Sequence, residues 1–203
     1  MKNKKQQQYI RIFKNPVLEA LTRTSPLVTI LVYIPLILFF LWMHSGNQIP
    51  FFQTIVFFIS GMFFWTFVEY VLHRFIFHFY SESNIGKRFH YIIHGVHHNY
   101  PKSTDKLFMP PVAGMAMSGA LYLILSSFLG KLTFAFLPGL IAGYLIYVFL
   151  HYFIHTSRPP KMFRKLWIHH HLHHHKYPER CFGVSTHLWD RIFKTMPPER
   201  VKS

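Results

Sequence analysis

Residues 132–153 read LTFAFLPGLIAGYLIYVFLHYF and contain no Asp, Glu, Lys or Arg. Three further apolar runs of comparable length occur at about 26–43, 50–72 and 112–129. Because an α-helix rises about 1.5 Å per residue, runs of this length cover most of a hydrocarbon core about 30 Å thick. The apolar residues are continuous rather than alternating, which favours helices over barrel strands. The sequence therefore predicts an all-α integral membrane protein with four transmembrane helices.

The short turns between these runs predict how the helices pair. Residues 45–48 separate the first two runs, and Gly130 and Lys131 separate the last two. Connections this short join antiparallel neighbours, so we expect two helical hairpins. Of the 22 Lys and Arg residues, all except Lys131 fall before the first run, between the second and third, or after the fourth. The positive-inside rule then predicts a multi-pass protein with both termini and the middle loop in the cytosol.

The composition excludes several classes of protein. Hydrophobic residues make up 51% of the 203 residues and charged residues 14%, whereas charged residues form roughly a quarter of a soluble domain. The single cysteine, Cys181, excludes an internal disulfide framework. No nucleic-acid-binding motif accompanies the net charge of +15, which basic residues beside an anionic leaflet explain. We therefore expect no nucleic-acid partner.

Residues 1–25 are expected to form a cytosolic or interfacial segment ahead of a single membrane domain over residues 26–203. Apolar residues recur at helical spacing within residues 9–21, at Ile10, Phe13, Val17 and Leu21. This spacing predicts an amphipathic helix that lies on the membrane surface.

The chain contains 16 histidines, and all except His44 fall on the side assigned to the cytosol. Ten of them form four groups with the spacing of metal ligands. These groups are His73 and His78; His94, His97 and His98; His151 and His155; and His170, His173 and His174. Residues three or four apart share one helix face, so each H-x-x-H-H triplet directs three imidazoles to one region. The run 169–175 alone is also typical of a loose metal-scavenging tract, but four groups on one side favour a specific site.

Ten nitrogen ligands exceed what one metal ion needs, so the sequence predicts two ions in a histidine-rich site within a cytosolic helical cap. Imidazole suits iron, zinc, copper and nickel. The paired Glu and Glu-x-x-His motifs of carboxylate-bridged di-iron bundles are absent from the sequence. We expect Glu69 to accept the second N–H of His73, four residues later, and Asp190 to orient a ligand from the C-terminal region.

Several motifs together resemble one known family. They are Glu69 with HRFIFH at 73–78, His90 with HGVHH at 94–98, KLFMPP at 106–111, HYFIH at 151–155, and His170, His173 and His174 followed by FGVST at 182–186 and LWD at 188–190. In order and spacing these segments resemble the fatty acid 2-hydroxylases, within the wider fatty acid hydroxylase and sterol desaturase superfamily. The resemblance covers about residues 69–197, and by this match His90 is an additional candidate ligand.

The resemblance implies a membrane monooxygenase that hydroxylates the carbon next to the carbonyl of a fatty acyl chain, often in sphingolipids. It implies that the ten histidines bind two metal ions, iron in the active enzyme, with zinc able to replace iron in a purified sample. The substrates are then a membrane lipid and molecular oxygen. The family pattern has Asp, Arg and Gly where this chain has Ser103, Lys106 and Cys181, and these positions are expected to bear on head-group or substrate preference.

Many family members carry an N-terminal cytochrome b5 domain, whereas only about 25 residues precede the first apolar run here. We therefore expect a separate electron donor of the cytochrome b5 or ferredoxin type. The expected membrane is the endoplasmic reticulum in a eukaryote or the inner membrane in a bacterium.

Other functions remain open from the sequence. The same histidines are typical of other superfamily oxidations, such as desaturation or the hydroxylation of a sterol or carotenoid. A metal transporter with a histidine-rich loop is disfavoured, because transporters place ionisable residues near the middle of the membrane. A non-enzymatic membrane scaffold is disfavoured because it does not need ten ordered ligands.

Overall fold

A computed structural model of the protein describes residues 10–46 and 49–198. Within these residues the regular secondary structure is helical, and no strand occurs. The α-helices are α1 Pro16–Leu21, α2 Pro26–Ser45, α3 Phe51–Val71, α4 Asn84–His90, α5 Val96–Asn99, α6 Pro111–Leu129, α7 Thr133–Thr156, α8 Arg164–His175 and α9 Leu188–Ile192. The predicted all-α fold is confirmed for this part of the chain.

Three helical stretches are long and apolar enough to cross a membrane: Pro26–Ser45, Phe51–Phe77 and Thr104–Thr156. The third contains both α6 and α7, so the long α-helices agree within three residues with the four predicted runs. The separate crossing of α6 and α7 stays a prediction. Part of the first predicted turn, residues 47–48, lies outside the described residues.

Helix α7 forms the centre of the bundle, and α3 approaches it closely through glycines. A Cβ atom added to Gly61 would lie 2.1 Å from the carbonyl oxygen of Phe136, and one added to Gly139 would lie 2.0 Å from that of Phe58. Small residues at these positions let the two backbones touch, as is common between membrane helices. The outer faces of α2 and α3 carry exposed apolar side chains, including Trp42 and Phe51, which suit contact with lipid.

Helices α6 and α7 form the expected antiparallel hairpin. The chain reverses at Gly130, whose φ of 52° lies in the left-handed region that glycine adopts without a steric penalty. Near this turn, the rings of Tyr122 and Phe134 lie 5.5 Å apart. Just before α6 begins, the Met109 N–H donates over 3.2 Å to the hydroxyl of Tyr144, which lies midway along α7.

The N-terminal segment differs from the predicted amphipathic helix. Tyr9 lies outside the described residues, and helix α1 begins only at Pro16. Proline disfavours helical backbone in the residue before it, and Asn15 instead caps α1 by accepting from the N–H groups of Val17 and Leu18. The segment also packs on protein, because Ile12 is buried and its carbonyl accepts from Arg88.

The close approach of α3 and α7 predicts unequal effects of two alanine substitutions. Gly139→Ala places a methyl group against the Phe58 backbone, which forces α3 outward at a cost of about 1–3 kcal/mol. Gly119→Ala on α6 is the matched control, because no atom lies within 4 Å of its added Cβ. We expect Gly139→Ala to lower the melting temperature in detergent and Gly119→Ala to leave it unchanged or higher. Equal melting temperatures would contradict the proposed packing.

Candidate metal centre

The ten predicted histidine ligands converge in two groups of five. The first group is His73, His78, His94, His98 and His173, and the second is His97, His151, His155, His170 and His174. In each group, one ring nitrogen from every member lies within 4.8 Å of the others. Helices α5 and α8 contribute to both groups, and the rings of His98 and His174 stack 4.3 Å apart where the groups meet.

A π-helical segment, Leu72–Phe77, brings His73 and His78 to the same side of their helix. Residues five apart diverge on a regular α-helix, which repeats every 3.6 residues. Here the wider turn is closed by the His78 N–H, which donates to the carbonyl of His73 over 3.2 Å. The two imidazole rings therefore lie 5.2 Å apart. A second π-helical segment, Tyr91–Gly95, carries His94, and such turns are frequent at functional sites.

Two backbone carbonyls fix the orientation of ligands in the first group. Nδ1 of His73 donates to the carbonyl of Phe182, and Nδ1 of His173 donates to the carbonyl of Arg180 over 2.7 Å. A neutral imidazole has one N–H, so these bonds leave a lone pair on Nε2 of both rings. Outer hydrogen bonds of this kind are typical of metal-bound histidines.

The remaining contacts in the first group contain too few protons to be hydrogen bonds alone. Nε2 atoms form a chain of four contacts at 3.0–3.1 Å, in the order His73, His94, His98, His173, His78. Because His73 and His173 present lone pairs, only three of these nitrogens have an N–H to offer. Two nitrogens bound at about 2.1 Å and at right angles to one ion lie about 3.0 Å apart. A cation at this position therefore fits the donor set.

The second group also contains ring nitrogens that hydrogen bonds do not satisfy. Within the described part of the chain, both ring nitrogens of His97 and His151 are buried without a hydrogen-bond partner, as is Nδ1 of His170 and His174. Unpaired buried nitrogens are costly, and a metal ion that takes one lone pair from each ring removes much of that cost. Nε2 of His170 lies 2.9 Å from that of His155 and 3.0 Å from that of His174.

Burial keeps these imidazoles uncharged. Desolvation, with smaller contributions from neighbouring histidines, lowers the pKa of His78 and His98 to about 3. The pKa values of His94, His97 and His170 lie well below the ordinary value for the same reasons. A metal ligand must be unprotonated at the binding nitrogen, and at neutral pH each of these rings keeps one lone pair for a metal ion.

The predicted bond between Glu69 and His73 is wrong. Glu69 instead accepts hydrogen bonds from the N–H groups of Val184 and Ser185 and from the Ser185 hydroxyl. The N–H of His73 instead donates to the Phe182 carbonyl, because the loop after α8 packs against both Glu69 and His73. Glu69 therefore supports His73 indirectly, by holding the loop that carries its acceptor.

Asp190 also acts on this loop rather than on one of the ten ligands. Its carboxylate accepts from the N–H groups of Phe182 and Gly183, the Thr195 hydroxyl and Nε2 of His169. Burial alone would raise the pKa of Asp190, but these donors hold it below the ordinary value. The carboxylate is therefore ionised, and it ties the middle of the loop to α8 and to Thr195 beyond α9.

The additional candidate ligand, His90, belongs to neither group, and its ring lies 6.4 Å from that of His78. His169 lies in the histidine run and is buried against Asp190, but the spacing of the four ligand groups does not identify it. The carbonyls of Arg180 and Phe182 have no sequence signal, since every residue has one. Cys181 has a φ of 61°, which explains why glycine suits this position.

A cavity of about 440 Å³ borders the histidines. His94, His97 and His151 form part of its wall, and most of the other lining side chains are apolar. The cavity extends along α7 to Tyr144 and along α6 to Met117. Its size and apolar lining fit a hydrocarbon chain.

Comparison with known proteins agrees with this arrangement. The sequence profile of the family described as "Fatty acid hydroxylase" matches residues 58–195. The chain belongs to the fatty acid hydroxylase family. A solved structure titled "Full length scs7p (only hydroxylase domain visible)" superposes with a TM-score of 0.84 at 34% identity, over 93% of this chain and 72% of that chain.

Three relatives illustrate the similarity. Mouse "Fatty acid 2-hydroxylase" is 33% identical over 94% of this chain and 57% of the mouse protein. Saccharomyces cerevisiae "Ceramide very long chain fatty acid hydroxylase SCS7" is 36% identical over 88% and 47%, respectively. Arabidopsis thaliana "Dihydroceramide fatty acyl 2-hydroxylase FAH2" is 31% identical over 92% and 80%. The chain thus spans about half the length of the mouse and yeast relatives.

The two histidine groups predict a metal stoichiometry. The protein purified in detergent should hold about two ions per chain, measured by inductively coupled plasma mass spectrometry. His97→Ala and His174→Ala remove members of the second group and should lower the content to about one or less. His171→Ala is the control, because His171 lies on the same helix but is exposed and bonds to the Trp167 carbonyl. Full metal content in both ligand variants would contradict the assignment.

The role of Asp190 predicts a loss of stability without loss of a ligand. Asp190→Asn presents an amide N–H to donors that now bond to a carboxylate, which should cost about 3 kcal/mol or more. We expect a lower melting temperature and weaker metal retention during dialysis against a chelator. Glu179→Gln, a neutral change at an exposed residue, should have neither effect. A variant with unchanged retention would show that the loop does not position the ligands.

Proposed function

We propose that this chain is a membrane monooxygenase that hydroxylates carbon 2 of a fatty acyl chain, in ceramide or fatty acid metabolism. The observation that carries the proposal is that His94 of one five-histidine group and His97 and His151 of the other lie on the wall of an apolar cavity. The names of the relatives, fatty acid 2-hydroxylase and dihydroceramide fatty acyl 2-hydroxylase, support the reaction and the substrate class.

We propose that α2, α3, α6 and α7 each cross the membrane, within one hydroxylase domain over residues 26–203. Both termini and the histidine groups then face the cytosol, because the basic residues fall on that side. In this arrangement the metal centre lies at the membrane surface. A separate electron donor, of the cytochrome b5 or ferredoxin type, can reach it from the water while the acyl chain stays in lipid.

Each five-histidine group would hold one iron ion, with His90 outside both. When bound, the metal pair supplies the oxidising power to exchange a C–H bond for a C–O bond, which side chains cannot supply. The reaction takes one O₂, two electrons and two protons, and it yields the hydroxylated chain and one water. Iron is favoured over zinc for the active enzyme because zinc has no redox chemistry.

The chain's own residues position the reactants. The carbonyls of Phe182 and Arg180 fix two ligand rings, and Glu69 and Asp190 hold the loop that presents those carbonyls. The apolar cavity wall excludes water and orients the acyl chain beside His94, His97 and His151.

Lipid analysis of an expressing host tests this function. Wild-type protein should produce acyl chains heavier by one oxygen, with the hydroxyl at carbon 2. His97→Ala and His174→Ala should abolish this product while the protein still inserts, and His171→Ala should retain it.

Two other products would overturn the proposal in different ways. A loss of two hydrogens indicates desaturation, and hydroxylated sterols or carotenoids indicate another substrate class. Hydroxylated acyl chains in both histidine variants would refute the assigned metal ligands.

A further inference from the structure

The cavity has one polar end. Among its lining residues, Thr22 and Lys106 lie together, and the ammonium of Lys106 donates to the Thr22 hydroxyl over 2.8 Å. It also donates to Glu19 over 2.8 Å, and its side chain is only 3% exposed. An ammonium has three N–H donors, and Glu19 and Thr22 are its partners within the described residues. One donor therefore remains for a ligand.

The polar end lies at the histidine end of the helices. Lys106 comes two residues before Phe108, whose ring packs 5.6 Å from Tyr152, one residue after His151. The apolar part extends the other way, because Tyr144 precedes His151 by seven residues, or about 10 Å of helix. A chain molecule with a polar head would therefore enter the cavity with its head near Lys106 and its tail beside Tyr144.

The ion pair holds Lys106 in place. Glu19 pairs with both Lys106 and Arg23, and Arg23 also lies 3.6 Å from Asp105. These contacts fix the ammonium at the cavity wall, so its remaining N–H can donate to a carbonyl oxygen of a ligand.

Resting on the function proposed above, we propose that Lys106, supported by Thr22, binds the carbonyl oxygen of the acyl chain and so positions carbon 2 at the histidines. Carbon 2 is bonded to the carbonyl carbon, so a donor that fixes the carbonyl also fixes which carbon lies closest to the metal centre. Lys106 is a positioning residue in this scheme.

Removal of the donor should therefore change where the hydroxyl is placed. In a host that expresses the full chain, Lys106→Met should lower the ratio of 2-hydroxy to other hydroxy acyl chains by about tenfold or more, because a bond to a charged donor is lost. Gas chromatography with mass spectrometry of hydrolysed lipids measures this ratio. Lys106→Arg retains the charge and donors and should restore most of the preference for carbon 2.

Arg23→Gln is the matched control for a merely structural role. It removes an ion pair to the same Glu19, but Arg23 does not line the cavity. We expect it to lower total product without changing the hydroxyl position. If Lys106→Met does not accumulate with bound metal, the ratio of 2-hydroxy to other hydroxy acyl chains is measured for Thr22→Val instead. This variant removes the supporting hydroxyl and leaves the ion pair to Glu19, and we expect it to lower the ratio.

The outcomes separate this inference from the proposed function. Wild-type protein that hydroxylates no acyl chain overturns both. Wild-type protein that is specific for carbon 2, with Lys106→Met equally specific, overturns the role of Lys106 alone. If Arg23→Gln changes the position of the hydroxyl as much as Lys106→Met does, the role of Lys106 is also overturned. The product ratio would then depend on how the N-terminal segment is attached.

Discussion

The structure depends on holding uncharged imidazole lone pairs against one another. Nitrogens 3 Å apart without enough protons between them repel unless a cation lies among them. The protein must therefore direct rings from five helical segments to two points and keep them there. The carbonyls of Arg180 and Phe182 set two of the rings, and Glu69 and Asp190 secure the loop that carries those carbonyls.

The helices and the ten histidines could be predicted because their signals are local. Continuous apolar runs define the helices, and the spacing of His94, His97 and His98 follows from helical geometry alone. The pairing of His73 with His78 could not be predicted from α-helical geometry, since it requires a π-turn. The division of each triplet between two groups depends on how α5 and α8 cross, which no local pattern encodes.

Three other features lie beyond local patterns for physical reasons. Glu69 bonds to residues more than a hundred positions away, so its spacing from His73 suggested the wrong partner. The cavity exists only once α3, α6, α7 and the N-terminal segment are packed together. Helix α1 is shorter than its apolar spacing suggests, because Pro16 and the capping of Asn15 outweigh periodicity.

The loop between α8 and α9 has a consequence for biogenesis. His170, His173 and His174 and the carbonyls that orient two ligands all follow the final long apolar helix in the chain. During synthesis, the bundle can enter the bilayer while neither five-nitrogen cage is complete. Each cage is complete only once α8 has been translated, and the carbonyls that orient His73 and His173 follow later still, at Phe182 and Arg180.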